Sequence, residues 1–146
     1  MVTLPPDGAP GAAPLQIEIV VPARNEARRL PGGLDALCRK AADLPVPAGI
    51  LVVDSASTDA TGDVVRQWPA GPVPVRLLRC DRPGKGLAVR TGLLATRAPF
   101  VGFCDADMAT DLAALDDHRI AVTPLKIDIT DAPSMTRLVA LFEKGI

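Results

Sequence analysis

The 146-residue chain has no tyrosine, one histidine and an aromatic content of only 3%. So few rings offer no platform for stacking successive bases, which argues against a binder of single-stranded nucleic acid. A basic excess is missing too: 16 Lys and Arg face 17 Asp and Glu, for a formal net charge of −1. No global positive field therefore draws the chain to nucleic acid or to an anionic membrane. The three cysteines, Cys38, Cys80 and Cys104, are widely spaced and form neither a CxxC nor a Cys/His pattern. That removes the basis for a zinc site or a disulfide framework and points to reduced thiols in a cytoplasmic protein. No apolar run approaches the ~20 residues of a membrane span. Residues 1–15 lack the basic segment and apolar core of a signal peptide. With four Pro and two Gly they read as a disordered leader. The single His118, beside Asp116 and Asp117, reads as an exposed boundary residue, and Cys104 as a small buried hydrophobe.

What is present is a hydrophobic fraction of 48%, ordinary for a globular domain, arranged in short β-branched runs separated by helical patterns. Gln16–Pro22 (QIEIVVP) predicts a first strand ended by Pro22, because proline cannot donate to a sheet ladder. Leu34, Leu37, Ala41 and Leu44 recur at helical spacing and predict a helix from about Pro31 to Leu44. Gly49–Asp54 (GILVVD) predicts a second buried strand, and Ser57, Thr58 and Asp59 are N-cap candidates for a helix carrying Val64, Val65 and Trp68. Val73, Val75 and Leu77 alternate as a third strand, the stretch from Arg79 to Lys85 forms a loop, and a helix follows from about Gly86 to Thr96. Phe100–Asp105 predicts a fourth, buried strand. Alternating strands and helices imply an α/β fold with a mostly parallel, doubly wound sheet. Right-handed crossovers bring the strand C-termini, where Asp54 and Asp105 fall, to one edge of that sheet. Ligands bind at that edge in open α/β sheets.

Asp105 and Asp107, separated only by Ala106, form the strongest chemical feature. Two carboxylates so close repel unless a cation neutralises them, and a hard divalent ion carrying phosphates is the natural one. Arg79, Arg82 and Lys85 put three cations ahead of a helix N-terminus, flanked by Gly84 and Gly86, a setting that favours an anion. This Gly-Lys-Gly is not a P-loop, whose longer spacing is missing. Asn25 and Glu26 either shape a turn or meet a ligand. Asp54 is a hydrogen-bond acceptor at a strand end, and Asp59 can serve a ligand or cap the next helix; both roles stay open.

Together, VVPARNE at 20–26, VVDSASTD at 52–59, GKGLAVRTG at 84–92 and DADM at 105–108 resemble the donor half of a family 2 glycosyltransferase with the Rossmann-like GT-A fold. The likeness covers residues 16–117 and is greatest to the dolichol- or polyprenyl-phosphate sugar transferases. It implies that Pro22, Ala23, Asn25, Glu26, Asp54, Asp59, Lys85, Asp105 and Ala106 contact a nucleoside-diphosphate sugar. It also implies that Asp107, with Asp105, holds Mg²⁺ or Mn²⁺ against the diphosphate. The acceptor would be a polyprenyl phosphate, reached by a cytoplasmic protein peripheral to the membrane. Ser55 stands where the family usually has a second acid or polar residue. A sugar-nucleotidyltransferase would show a Gly-rich loop after the first strand, where this chain has PARNEARR.

Only 39 residues follow Asp107, whereas the resembled family places its acceptor pocket and general base there; the catalytic base is accordingly unassigned. Ile120–Ile129 predicts a strand, and Thr130 or Asp131 caps a helix carrying Met135, Leu138, Val139 and Phe142. This stretch resembles a strand–helix piece of a short-chain dehydrogenase, with Asp128 matching its adenine-contacting acid, but without that family's glycine-rich loop or Tyr/Lys pair. The expectation is a truncated donor half joined at about residue 118 to foreign sequence; the other reading is a divergent βα tail that finishes the sheet. A non-catalytic nucleotide-sugar-binding fragment is the rival to a working transferase.

Overall fold

The computed structural model describes residues 13–106, which lie within one of the chain's two compact units, Met1–Thr110. Their elements alternate: β1 (Ile17–Ala23), α1 (Leu30–Ala42), β2 (Ala48–Ser55), α2 (Thr61–Arg66), β3 (Val75–Cys80), α3 (Lys85–Ala95) and β4 (Phe100–Phe103). The expected α/β fold is present, with all four strands parallel in the order β3-β2-β1-β4. The chain steps outward from β1 to β3, then α3 carries it back to the far side of β1. Reversing direction with the same crossover hand puts α3 on the opposite face from α1 and α2. Strand order therefore switches between β1 and β4, and the crevice at their C-terminal ends is the ligand position of a doubly wound sheet.

The two faces are filled by different means. Leu30, Leu34, Leu37 and Ala41 of α1 are buried, each leucine contributing about 1.5–3 kcal/mol by leaving water. On the other face Val20, Leu51, Val53, Leu78 and Cys80 meet Ala88 of α3. Here α3 lies so close that a Cβ on Gly92 would stand 2.4 Å from Val20 Cγ1, so the helix seats only with glycine there. Every residue of β2 is buried, as expected of a parallel strand covered on both faces. At the opposite end from the crevice, Glu18 of β1 is buried and takes a bidentate ion pair from Arg76 of β3, with Nε at 3.0 Å and Nη2 at 2.7 and 2.9 Å. It spans β2, between them in the sheet.

Several expectations are corrected. Pro22 does not end β1, which continues to Ala23, with Pro22 in register with Val53. Val20 O accepts from Cys104 N on the β4 side, and Pro22 has the same parity, so its nitrogen faces β4 beyond the last pair, Val20 with Phe103. The missing donor costs the ladder nothing. Arg79 belongs to β3 rather than to the loop after it. Trp68 and Leu44 fall beyond the ends of their helices. None of Ser57, Thr58 or Asp59 is the N-cap residue of α2: Ala60 is, with no side-chain cap. The Ser57 and Thr58 hydroxyls pair with Asn25 of another loop, while Asp59 Oδ1 accepts from the N–H of Thr61, the first residue of α2. Finally, β4 ends at Phe103 and is only partly covered, with Gly102 and Phe103 exposed. Among the described residues it is an edge strand, paired with β1 alone. The strand and helix predicted over 120–142, residues 1–12 of the leader and His118 lie outside the described residues.

Candidate functional site

The loops leaving β1 and β2 are bound together by hydrogen bonds that cross some 30 residues of sequence. Asn25 adopts φ 53°, a left-handed turn that asparagine tolerates. Its N–H donates to Ser57 Oγ (3.0 Å), and its Oδ1 accepts from Thr58 N (2.8 Å). Glu26 N donates to Thr61 Oγ1 (2.9 Å), and Ala27 N to Asp59 Oδ2 (3.1 Å). The other Asp59 oxygen accepts from Thr61 N (2.9 Å) and the Thr61 hydroxyl. These bonds, the hydroxyl of Thr61 foremost, hold the Asp59 carboxyl below its ordinary value of 3.8. Both Asp59 oxygens are thus occupied within the protein, and its geometry fits a latch between loops. Glu26 stays half-buried beside Arg29, 3.9 Å away, while Pro22 and Ala23 are buried at the end of β1.

Asp54, the next-to-last residue of β2, has its side chain 1% exposed. Oδ1 accepts from Ser57 N (3.0 Å), forming a tight turn in which Ala56 takes φ 52°. Strain of this kind in a non-glycine residue clusters at binding sites. Oδ2 lies 3.4 Å from Arg79 Nε, close enough for an ion pair, yet it receives no hydrogen bond. A buried carboxylate oxygen left open in this way is expensive unless a ligand donor completes it. Gly62 makes room for it, since a Cβ there would stand 3.1 Å from Oδ2. Beside this corner a cavity of about 670 Å³ opens between Ala56 and Ser57 on one side and Arg79 and Asp81 on the other, within the size range of small-ligand sites.

A second corner lies across the switch point. Lys85, at the start of α3, reaches Asp105 past the end of β4, with Nζ 2.5 Å from Oδ1. The pair is 64% and 39% exposed, so water screens it and it is worth at most about 1 kcal/mol. Such a contact is easily traded for a more highly charged partner. Gly84 precedes Lys85 at φ 150°, a conformation that needs glycine, while a Cβ on Gly86 would meet nothing within 4 Å. Ala106 is buried. Asp107 lies outside the described residues. Among those described, no group of three or more His, Cys, Asp or Glu side chains is placed to hold a metal. Cys104, next to Asp105, is only half-buried rather than the fully buried small hydrophobe expected; its partial desolvation, with the Asp105 charge adding to it, pushes its thiol up to about 12.

Sequence reasoning missed Ser55, Thr61 and the pairing of Arg79 with Asp54. Ser55 is buried and its Oγ accepts from Gly84 N at 2.9 Å, tying the end of β2 to the start of α3. A polar residue at a buried strand end was the available signal; its partner, 29 residues away, was not.

Comparison with known proteins agrees with the α/β fold. Residues 18–116 match the Glycosyl transferase family 2 profile. A dolichyl-phosphate β-glucosyltransferase of Drosophila melanogaster is 37% identical over 119 residues, 76% of this chain and 36% of the relative. A protein of the same name from Dictyostelium discoideum is 31% identical over 126 residues, 80% of this chain and 38% of the relative. The chain thus spans little more than a third of the length of these relatives. Among solved structures, the mannosyltransferase PcManGT of Pyrobaculum calidifontis, in complex with GDP-Man and Mn²⁺, is 31% identical with a TM-score of 0.58, covering 80% of this chain and 36% of that one. The S. aureus protein TarS in complex with UDP shares the fold, with a TM-score of 0.56 at 24% identity, over 64% of this chain and 28% of that one. The likeness of the tail to a short-chain dehydrogenase finds no support here: the family match stops at residue 116 and the relatives named are sugar transferases. With the family profile matching well over half of it, the chain belongs to glycosyl transferase family 2.

Proposed function

We infer that residues 16–117 form the donor-binding part of a transferase that takes a nucleoside-diphosphate sugar and passes the sugar to a polyprenyl phosphate. The observation that carries this reading is the convergence of Asp54 with Arg79, and of Lys85 with Asp105, on one edge of a parallel sheet at its switch point. The open Asp54 oxygen calls for an N–H donor such as a nucleobase supplies. Lys85 and the N-terminus of α3 suit a diphosphate. The relatives support the substrates: two are named for dolichyl phosphate, and the neighbour at 31% identity holds GDP-Man and Mn²⁺.

Mg²⁺ or Mn²⁺ fits this arrangement. Asp105 offers a half-exposed, hard oxygen donor whose present partner is a flexible ammonium; it and Asp107 would hold the ion. Bound there, the metal would neutralise charge on the departing nucleoside diphosphate. In the transfer an acceptor oxygen attacks the anomeric carbon while the bond from that carbon to the diphosphate breaks, its electron pair leaving with the nucleotide. Lys85, released from Asp105, meets the diphosphate charge, and the latched β1 and β2 loops hold the nucleotide end. A cytoplasmic setting beside the membrane that carries the acceptor belongs to the same proposal. Among the described residues no helix is long and apolar enough to cross a membrane.

Calorimetric titration with UDP-glucose and GDP-mannose, with and without Mn²⁺, tests the reading. One of them binds in a metal-dependent manner, and Asp107→Ala abolishes the dependence. Absence of binding, or binding indifferent to metal, overturns it. A transfer assay with radiolabelled donor and polyprenyl phosphate then separates a catalyst from a binding-only fragment.

A further inference from the structure

Ser55 is 2% exposed and its hydroxyl is fully engaged. Its Oγ accepts from Gly84 N at 2.9 Å and lies 3.4 Å from Arg82 O and 3.3 Å from Gly84 O, either of which can take its proton. One hydroxyl therefore satisfies both polarities of the segment that precedes α3. Gly84 is the residue at which this segment turns into the helix, through φ 150° and a bond from Ala88 N to Gly84 O at 2.9 Å. Lys85 is the next residue, and its ammonium pairs with Asp105. Its 64% exposed side chain starts from a backbone that Ser55 ties to the core strand β2.

We propose that Ser55 is a positioning residue that acts through Lys85: its hydroxyl fixes the Gly84–Lys85 backbone so that the ammonium is held at the Asp105 corner, ready for the donor diphosphate. The proposal rests on the donor-binding function above. It concerns the diphosphate half of the site alone, since Asp54 and Arg79 contact Ser55 in none of these bonds. Losing the hydroxyl takes from the half-buried Gly84 N–H its partner in β2 and frees the segment to shift. A shift of the lysine by a fraction of its reach weakens a charge contact without touching the nucleoside contacts.

The experiment is a double-mutant cycle on the full chain, read by calorimetry with UDP or GDP and with the corresponding nucleoside, and by amide hydrogen exchange without ligand. Ser55→Ala lowers nucleoside-diphosphate affinity about tenfold and leaves nucleoside affinity unchanged. In a Lys85→Ala background the same change has no further effect. Ser55→Thr, which keeps the Oγ, binds as the wild type does. In the ligand-free protein Gly84 N–H is protected from exchange, and Ser55→Ala removes the protection. Equal losses for nucleoside and diphosphate, an additive cycle, a Thr variant as weak as the Ala variant, or an unprotected Gly84 N–H in the wild type each overturn the proposal. A protected Gly84 N–H in a chain that binds neither nucleotide shows the pin intact and the donor-binding function absent, which overturns the positioning role together with that function.

Discussion

Glycines show how far a single position depends on its surroundings. Gly92 and Gly32 both sit in helices, but a Cβ at Gly92 would meet Val20 and Val53, and one at Gly32 would meet nothing within 4 Å. Gly92→Ala should therefore cost about 1–3 kcal/mol through overpacking, whereas Gly32→Ala should stabilise by up to about 1 kcal/mol through helix propensity. Thermal melts of the two variants check the opposite signs. Asp59 carries a pH dependence. Its folded carboxyl lies below the ordinary 3.8, so its contribution is present above that pH and is lost as pH falls through the lowered folded value. Acid unfolding of Asp59→Asn should accordingly show a shallower loss of stability below pH 3.8 than the wild type. At this scale Asp54, Lys85 and Asp105 stood out in the sequence by type and position. The open oxygen of Asp54 did not, because it depends on how Arg79 and Gly62 approach.

Strands and helices were largely visible in the chain because their signals are local: β-branched runs, the 3–4 spacing of Leu34, Leu37 and Ala41, and proline at the start of α1. Their limits moved where another element competed. Ser57, Thr58 and Asp59 look like caps, but the hydroxyls of Ser57 and Thr58 are taken by Asn25, and Asp59 divides its oxygens between Ala27 N of the β1 loop and Thr61 N at the start of α2. The link between β1 and β3 is wholly non-local, since Glu18 and Arg76 lie 58 residues apart. Removing one partner of so buried a pair leaves a stranded charge, so Arg76→Ala should destabilise by about 3 kcal/mol. Replacing both, as Glu18→Leu with Arg76→Met, should come much closer to the wild type. Urea unfolding of the three proteins checks the ordering.

For the whole molecule, the sheet brings together two half-sites that stand far apart in sequence, and ligand linkage should make that visible. If donor and metal bind the folded state alone, nucleotide with Mn²⁺ at a hundred times its dissociation constant should stabilise by about 2.7 kcal/mol. Melting temperature should rise accordingly, and EDTA should return it to the ligand-free value if the metal bridges protein and diphosphate. The half-buried Cys104 offers a check on desolvation near the site. With its thiol pushed up to about 12, it should resist alkylation at pH 8 in the native chain and react once the chain is unfolded.

Composition and pattern alone determined the alternation of strand and helix, and with it a parallel sheet whose acids fall at strand ends. Those features are written in periodicities of two and 3.6 residues and in the short reach of turn residues. Only the tertiary structure decided that β4 pairs with β1, that Pro22 sits harmlessly within β1, and that Asp59 latches the β1 loop to the start of α2. It alone decided that Ser55 holds the glycine before Lys85. The reason is physical: each of these outcomes is a contest for a hydrogen-bonding group or a volume between residues distant in sequence, and the fold settles which partner arrives.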